Sequence, residues 1–121
     1  MSIKILIVED NIDLTDAYEL VFKKEGFNIQ VVYDGMQAEE ALEIFSPDVI
    51  LLDIMMPQMN GFEFLKNLRA SGSKTTVIIN SNLSQNSEVK KSFELGANEY
   101  LRKSDYTVFE LVDKVKEIVE N

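Results

Sequence analysis

Residues 49–61 read VILLDIMMPQMNG: an unbroken aliphatic run from Val49 to Leu52, then Asp53, then a stretch carrying Pro57 and Gly61. A short continuous apolar run is what a strand buried on both faces looks like, as the strands of parallel sheets are. Asp53 therefore stands where a dry strand reaches solvent, and its neighbours must say why. Upstream, Lys4 to Val8 (KILIV) is a similar run, followed by the polar, cap-capable cluster Glu9, Asp10 and Asn11. Leu14, Ala17, Tyr18, Val21 and Phe22 then recur at helical spacing until Gly26, a residue suited to end a helix.

The same alternation continues along the chain. Ile29 to Tyr33 predicts a second strand, and Ala38, Ala41, Leu42 and Phe45 share one face of a helix stopped by Ser46 and Pro47. After the strand at Val49 to Leu52, a helix beyond Gly61 uses Phe64, Leu65 and Leu68. A strand from Thr76 to Ile79 is followed by a helix from about Ser87 to Leu95 ending at Gly96, and a short strand lies around Glu99 to Leu101. The last helix starts at a capping box, Thr107 with Glu110, and carries Val108, Leu111, Val112, Val115, Ile118 and Val119 on its buried stripe. Alternating strands and helices call for an α/β fold with right-handed crossovers and helices on both faces of a parallel sheet. With five such units the expected architecture is a flavodoxin-like doubly wound sheet of order 2-1-3-4-5 with five flanking helices, in a single domain over residues 1–121. Ligands of such sheets sit outside the carboxyl ends of strands 1 and 3, which here are Glu9, Asp10 and Asp53.

Composition narrows the chemistry. The 121 residues contain no cysteine and no histidine, which excludes disulfides, thiolate catalysis, zinc clusters and imidazole bases. No apolar run approaches the roughly 20 residues that span a bilayer, so a cytoplasmic protein without membrane insertion is expected. The net charge of −9 repels phosphate backbones and argues against direct nucleic-acid binding. A cation or a protein partner fits better.

Each acid alone has an ordinary explanation: Asp10 as a helix cap, Glu9 near the positive helix end, Asp53 as a turn cap. Together they repel one another by about 4 kcal/mol per pair at 4 Å in a surface-like dielectric. A fold keeps such a group for a cation, and an all-oxygen set suits a hard ion such as Mg²⁺. Ser81 and Lys103 follow the fourth and fifth strands, at the same end of the sheet. A hydroxyl and an ammonium opposite a metal make a clamp for a phosphoryl group, although each alone is more commonly a turn hydroxyl or a solvated lysine.

At this point the chain resembles, over nearly its whole length, the receiver domain of two-component response regulators, of the single-domain chemotaxis-regulator kind. The resemblance rests on Glu9 and Asp10 after strand 1, Asp53 with Pro57 and Gly61, Ser81 after strand 4, and Gly96 and Ala97 leading to Tyr100 and Lys103. It implies that Asp53 accepts a phosphoryl group from phosphohistidine on a sensor histidine kinase or a histidine phosphotransfer protein. It implies that Glu9, Asp10, Asp53 and the backbone carbonyl of Met55 hold Mg²⁺ or Mn²⁺. Lys103 would pair with the acyl phosphate, Ser81 would move to bond it, and Tyr100 would turn inward behind it. The chain would not be an enzyme beyond catalysing its own phosphorylation and slow dephosphorylation. Its partner face would be the fourth helix, fifth strand and fifth helix, including Lys90, Lys91, Phe93, Tyr100, Arg102 and Phe109, open to a downstream protein or a phosphorylation-dependent homodimer.

The chain departs from the family in places. Asn82 stands where a small residue is usual, and its bulk is expected to narrow access to Asp53, so that Asn82→Ala would react faster. Ser104 replaces a proline that commonly follows the lysine in a cis bond; a non-proline cis bond costs about 2.5 to 4 kcal/mol, so a trans bond is expected. Met55 and Leu83 occupy positions that tune dephosphorylation, and neither side chain activates water, which points to a long-lived phosphoryl form. Met55 also lacks the second acid that an aspartyl phosphatase needs two residues after its nucleophile. Glu9 and Asp10 would repel a flavin phosphate, and there is no GxxxxGK loop for nucleotide hydrolysis. The remaining rival is a pseudo-receiver that binds proteins without phosphorylation. No output segment follows Asn121, which suits a stand-alone receiver or the receiver of a longer regulator.

Overall fold

The computed structural model describes residues 2–56, 59–82 and 85–120. Its order is β1 (Lys4–Val8), α1 (Ile12–Lys24), β2 (Asn28–Val32), α2 (Gly35–Ala41), β3 (Val49–Leu52), α3 (Gly61–Ala70), β4 (Thr76–Ser81), α4 (Asn86–Glu94), β5 (Glu99–Arg102), a 3₁₀ turn (Lys103–Asp105) and α5 (Val108–Glu120). The strands form one parallel sheet in the order β2-β1-β3-β4-β5, the flavodoxin-like arrangement expected from the alternation.

Alternation along the central strands divides the core in two. Leu6, Val8, Ile50 and Leu52 face α2 and α3, where Ala38, Ala41, Phe64, Leu65 and Leu68 meet them. Ile5, Ile7, Val49 and Leu51 face α1 and α5, packed by Tyr18, Phe22, Leu111, Val112 and Val115. Every residue of β3 is buried, the state its unbroken apolar run predicts. The α5 capping box forms as expected: the Glu110 N–H donates to Thr107 Oγ1 and the Thr107 N–H to Glu110 Oε1.

Several boundaries differ from the sequence reading, β2 (Asn28–Val32) and α4 (Asn86–Glu94) by a single residue. The second helix ends at Ala41 instead of running through Phe45, because beyond Leu42 the Glu43 and Ile44 N–H groups bond three residues back, tightening the chain ahead of Pro47. Leu42 and Phe45 still pack on the core. β4 extends to Ser81, whose partner in the ladder is Arg102, so Ser81 closes the strand rather than following it. β5 likewise gains Arg102.

The helices are unequally anchored. α1 and α5 each bury several side chains, but α4 buries only Ser92, whose hydroxyl donates to the Glu88 carbonyl within the same helix. Lys91 of α4 reaches sideways over the Phe62 ring of α3, 4.6 Å from its centre.

At the site end of the sheet, α3 comes up against the strand it follows. A Cβ on Gly61 would lie 2.6 Å from both the Asp53 carbonyl oxygen and Ile54 Cα, and the Gly61 N–H donates to the Ile54 carbonyl. Only a residue without a side chain fits. Gly61→Ala is expected to destabilise the fold by about 1–3 kcal/mol in urea melts and to displace Asp53, since the backbone that must yield carries it.

Candidate functional site

Strand ends and the residues just beyond them bring the site together. Glu9 follows β1, Asp53 follows β3, Ser81 ends β4 and Lys103 opens the turn after β5. Glu9, Asp10 and Asp53 each present a carboxylate oxygen within 4.8 Å of the others. Glu9 is 2% and Asp53 6% exposed, whereas Asp10 lies open to solvent. The α1 cap is Asn11, whose Oδ1 accepts from the Leu14 N–H, so helix capping does not account for Asp10.

Each buried acid has a partner for both oxygens. Glu9 Oε2 accepts from the Asn11 N–H, and Asp53 Oδ1 accepts from the Met55 N–H, the turn-capping role that Asp53 shares with any aspartate in such a loop. Their remaining oxygens turn to Lys103: its ammonium forms a close ion pair with Glu9 Oε1 and lies 3.2 Å from Asp53 Oδ2. Burial pushes the Glu9 pKa up, with the Asp53 charge adding to it, and Lys103 and the Asn11 N–H only partly oppose the rise. Burial alone would lower Lys103; its hydrogen bond to Glu9 and the charges of Asp53 and Glu9 outweigh that, and its pKa stands above the ordinary lysine value. One ammonium thus serves two buried carboxylates, and the third acid lies beside them. The donor set is all oxygen and over-acidic, which fits a hard divalent cation.

Ser81 is buried at the same rim, and its hydroxyl lies close enough to Tyr100 to offset part of the rise that burial gives the Tyr100 pKa. Tyr100 is half-buried against the α2/α3 side of the core, and burial raises its pKa. Met55 is exposed just beyond Asp53. Asn82 is exposed, and its Oδ1 accepts from the Ser104 N–H at 2.9 Å. The peptide bond from Lys103 to Ser104 is trans, as expected. Pro57 and Leu83 lie outside the described residues.

On the expected partner face, Phe93 and Phe109 are 46% and 69% exposed, and a shallow groove runs between Val89, Phe93, Tyr100, Arg102 and Tyr106. Lys90 is exposed on α4. Lys91 is exposed on α4 as well, and its ammonium lies over the Phe62 ring of α3.

Sequence reasoning missed a polar pair beneath the acids. Asn80 Nδ2 donates to the Tyr18 hydroxyl at 2.9 Å, tying α1 to β4 inside the core. Burial raises the Tyr18 pKa, and the charges of Lys103, Glu9 and Asp53 reach it. The signal was a lone amide interrupting the apolar run TVIINS.

A family model described as the response regulator receiver domain matches residues 5–116. The chain belongs to that family. Among curated receiver-containing relatives, it is 38% identical over 116 residues to the Escherichia coli transcriptional regulatory protein CpxR, covering 96% of this chain and 49% of that protein. It spans about half the length of the curated relatives it matches. A solved receiver domain, that of Francisella response regulator 1452, superposes with a TM-score of 0.89 at 28% identity, covering 98% of each chain. The Mn²⁺-bound form of response regulator Rcp1 superposes with a TM-score of 0.83 at 25% identity, covering 94% of this chain and 91% of its own. No helix among the receiver's described residues is long and apolar enough to cross a membrane.

Proposed function

We propose that this receiver domain accepts a phosphoryl group on Asp53 from a phosphohistidine donor, a sensor histidine kinase or a phosphotransfer protein. The observation that carries the reading is Lys103 held between Glu9 and Asp53 beside the exposed Asp10, a charge arrangement with places for a cation and an incoming dianion. An Asp53 carboxylate oxygen attacks phosphorus, the P–O bond forms as the P–N bond breaks, and the donor imidazole leaves. The short strand end holds the nucleophile in line with little freedom left to lose. Lys103 moves its charge from carboxylate to the transferred phosphoryl oxygens. Ser81 turns to a phosphoryl oxygen, and Tyr100 beside it carries the change to α4, β5 and α5.

Glu9, Asp10, Asp53 and the Met55 carbonyl would hold Mg²⁺, which when bound offsets the charge on the phosphoryl oxygens. That response regulator Rcp1 has a Mn²⁺-bound form supports a divalent cation at this site. At about a hundredfold excess over its Kd, Mg²⁺ should stabilise the fold by about 2.7 kcal/mol in thermal melts. Asp10→Asn should reduce that gain sharply with little change in metal-free stability, because Asp10 is exposed. Protonated Glu9 cannot ligate, and its pKa is raised, so Mg²⁺ affinity should begin to fall at a higher pH than ordinary carboxylates would give.

The test of the function is intact mass after incubation with acetyl phosphate, with and without Mg²⁺. A single Mg²⁺-dependent phosphoryl addition that hydroxylamine removes marks an acyl phosphate. No addition while Mg²⁺ binds and the fold persists would leave a pseudo-receiver that works by protein binding alone.

A further inference from the structure

Lys103 sits in a poorly supported piece of backbone. The turn Lys103–Asp105 has no side-chain cap, and its own closing bond, from the Tyr106 N–H to the Lys103 carbonyl, is long at 3.5 Å. The first N–H groups of any helical turn have no partner inside it and must find one elsewhere. The Ser104 N–H finds the Asn82 side chain, 22 residues away in sequence. The β4–β5 ladder ends at the pair Ser81 and Arg102, so this bond ties the two strands' continuations once more beyond the sheet, and Lys103 lies between its two tied neighbours, Arg102 and Ser104.

We infer that Asn82 and Ser104 form a strut that holds Lys103 between Glu9 and Asp53, which makes Asn82 a positioning residue for phosphoryl transfer. The inference deepens the proposed function and rests on it for the transfer step. A proline at position 104 would have no N–H to donate, so the strut requires both residues together: an acceptor at position 82 and a donor at 104. Because Lys103 must swing between carboxylate and phosphoryl oxygens, a fixed backbone restricts that movement to the side chain.

Two rates decide it. In metal-free protein, a brief pulse of reductive methylation is read at Lys103 by peptide mass spectrometry, with exposed Lys66 as the internal reference. With Mg²⁺, phosphorylation by acetyl phosphate is followed by intact mass. Asn82→Ala and Ser104→Pro should each label Lys103 about three- to tenfold faster and take up phosphoryl about three- to tenfold more slowly, the range of one hydrogen bond. Ser104→Ala keeps the N–H and should match the parent in both. Proline also constrains Lys103 by itself, so the double variant is the sharper test: it should be no worse than Ser104→Pro alone. Residues 82 and 104 are both exposed, and all variants should melt within a few degrees of the parent. Effects that multiply in the double variant, unchanged Lys103 labelling, or faster phosphorylation of Asn82→Ala would overturn the strut, the last returning Asn82 to the part of an obstacle. A parent protein that takes up no phosphoryl group would defeat the proposed function, while the methylation rates would still decide whether the strut holds Lys103.

Discussion

Asp53→Asn is expected to take up no phosphoryl group from acetyl phosphate at any Mg²⁺ concentration while folding as the parent does. An amide has the carboxylate's shape without its nucleophilic oxygen. The structure explains why the fold should survive. The amide oxygen of the variant would still accept the Met55 N–H, and Lys103 would keep its close pair with Glu9, so the loop and the ammonium both retain an anchor. Removing one of three crowded negative charges also relieves Glu9, whose raised pKa includes the Asp53 charge among its causes. Metal-free stability should therefore hold or rise, and Mg²⁺ affinity should fall. Intact mass, urea melts and calorimetric Mg²⁺ titration on one preparation separate these effects. A hydroxylamine-sensitive phosphoryl group on the variant would move the acceptor to another carboxylate.

Lys103→Ala should slow phosphorylation by about 10²–10³, the usual cost of losing one aimed donor in a site of this kind. Its second effect distinguishes it from Asp53→Asn. Two carboxylates that are 2% and 6% exposed would lose their shared cation. Breaking a buried pair from one side costs about 3–5 kcal/mol, and the lower end is expected here because Lys103 is itself partly exposed and Glu9 readily takes a proton. The sign with pH follows from the raised Lys103 pKa. Its contribution is fully present below the ordinary lysine value and is lost as pH rises through the higher folded value, so parent and variant should converge in stability only at strongly alkaline pH. Mg²⁺ should recover much of the variant's stability and little of its rate. Equal stability of parent and variant in metal-free buffer would mean that the ion pairs are incidental.

The parallel sheet, its order and the gathering of Glu9, Asp10, Asp53, Ser81 and Lys103 at one end are legible because each depends on local periodicity and on a general rule about where strands end. Other features depend on pairs that no local pattern announces. The Asn82 to Ser104 bond and the Asn80 to Tyr18 bond join residues far apart in sequence, and a polar side chain read alone does not say which orphan group it will meet. Read by its size, Asn82 is bulk in front of Asp53; the size alone does not announce that its amide oxygen faces a backbone donor that a prolyl residue would lack. Apolar spacing overstates the second helix because Leu42 and Phe45 keep the pattern after the backbone has left the helix.

The thin anchorage of α4 bears on how large a signal must be to be heard. A helix that buries one small polar side chain has little packing energy to surrender when it shifts. Each 1.4 kcal/mol of preference moves a two-state population about tenfold, so a modest change of partners at Ser81 and Tyr100 can redistribute such an element where it would leave α1 or α5 unmoved. If the proposed switch operates, sensitivity in this molecule is thus assigned by omission: the helix free to report is the one the core declined to hold.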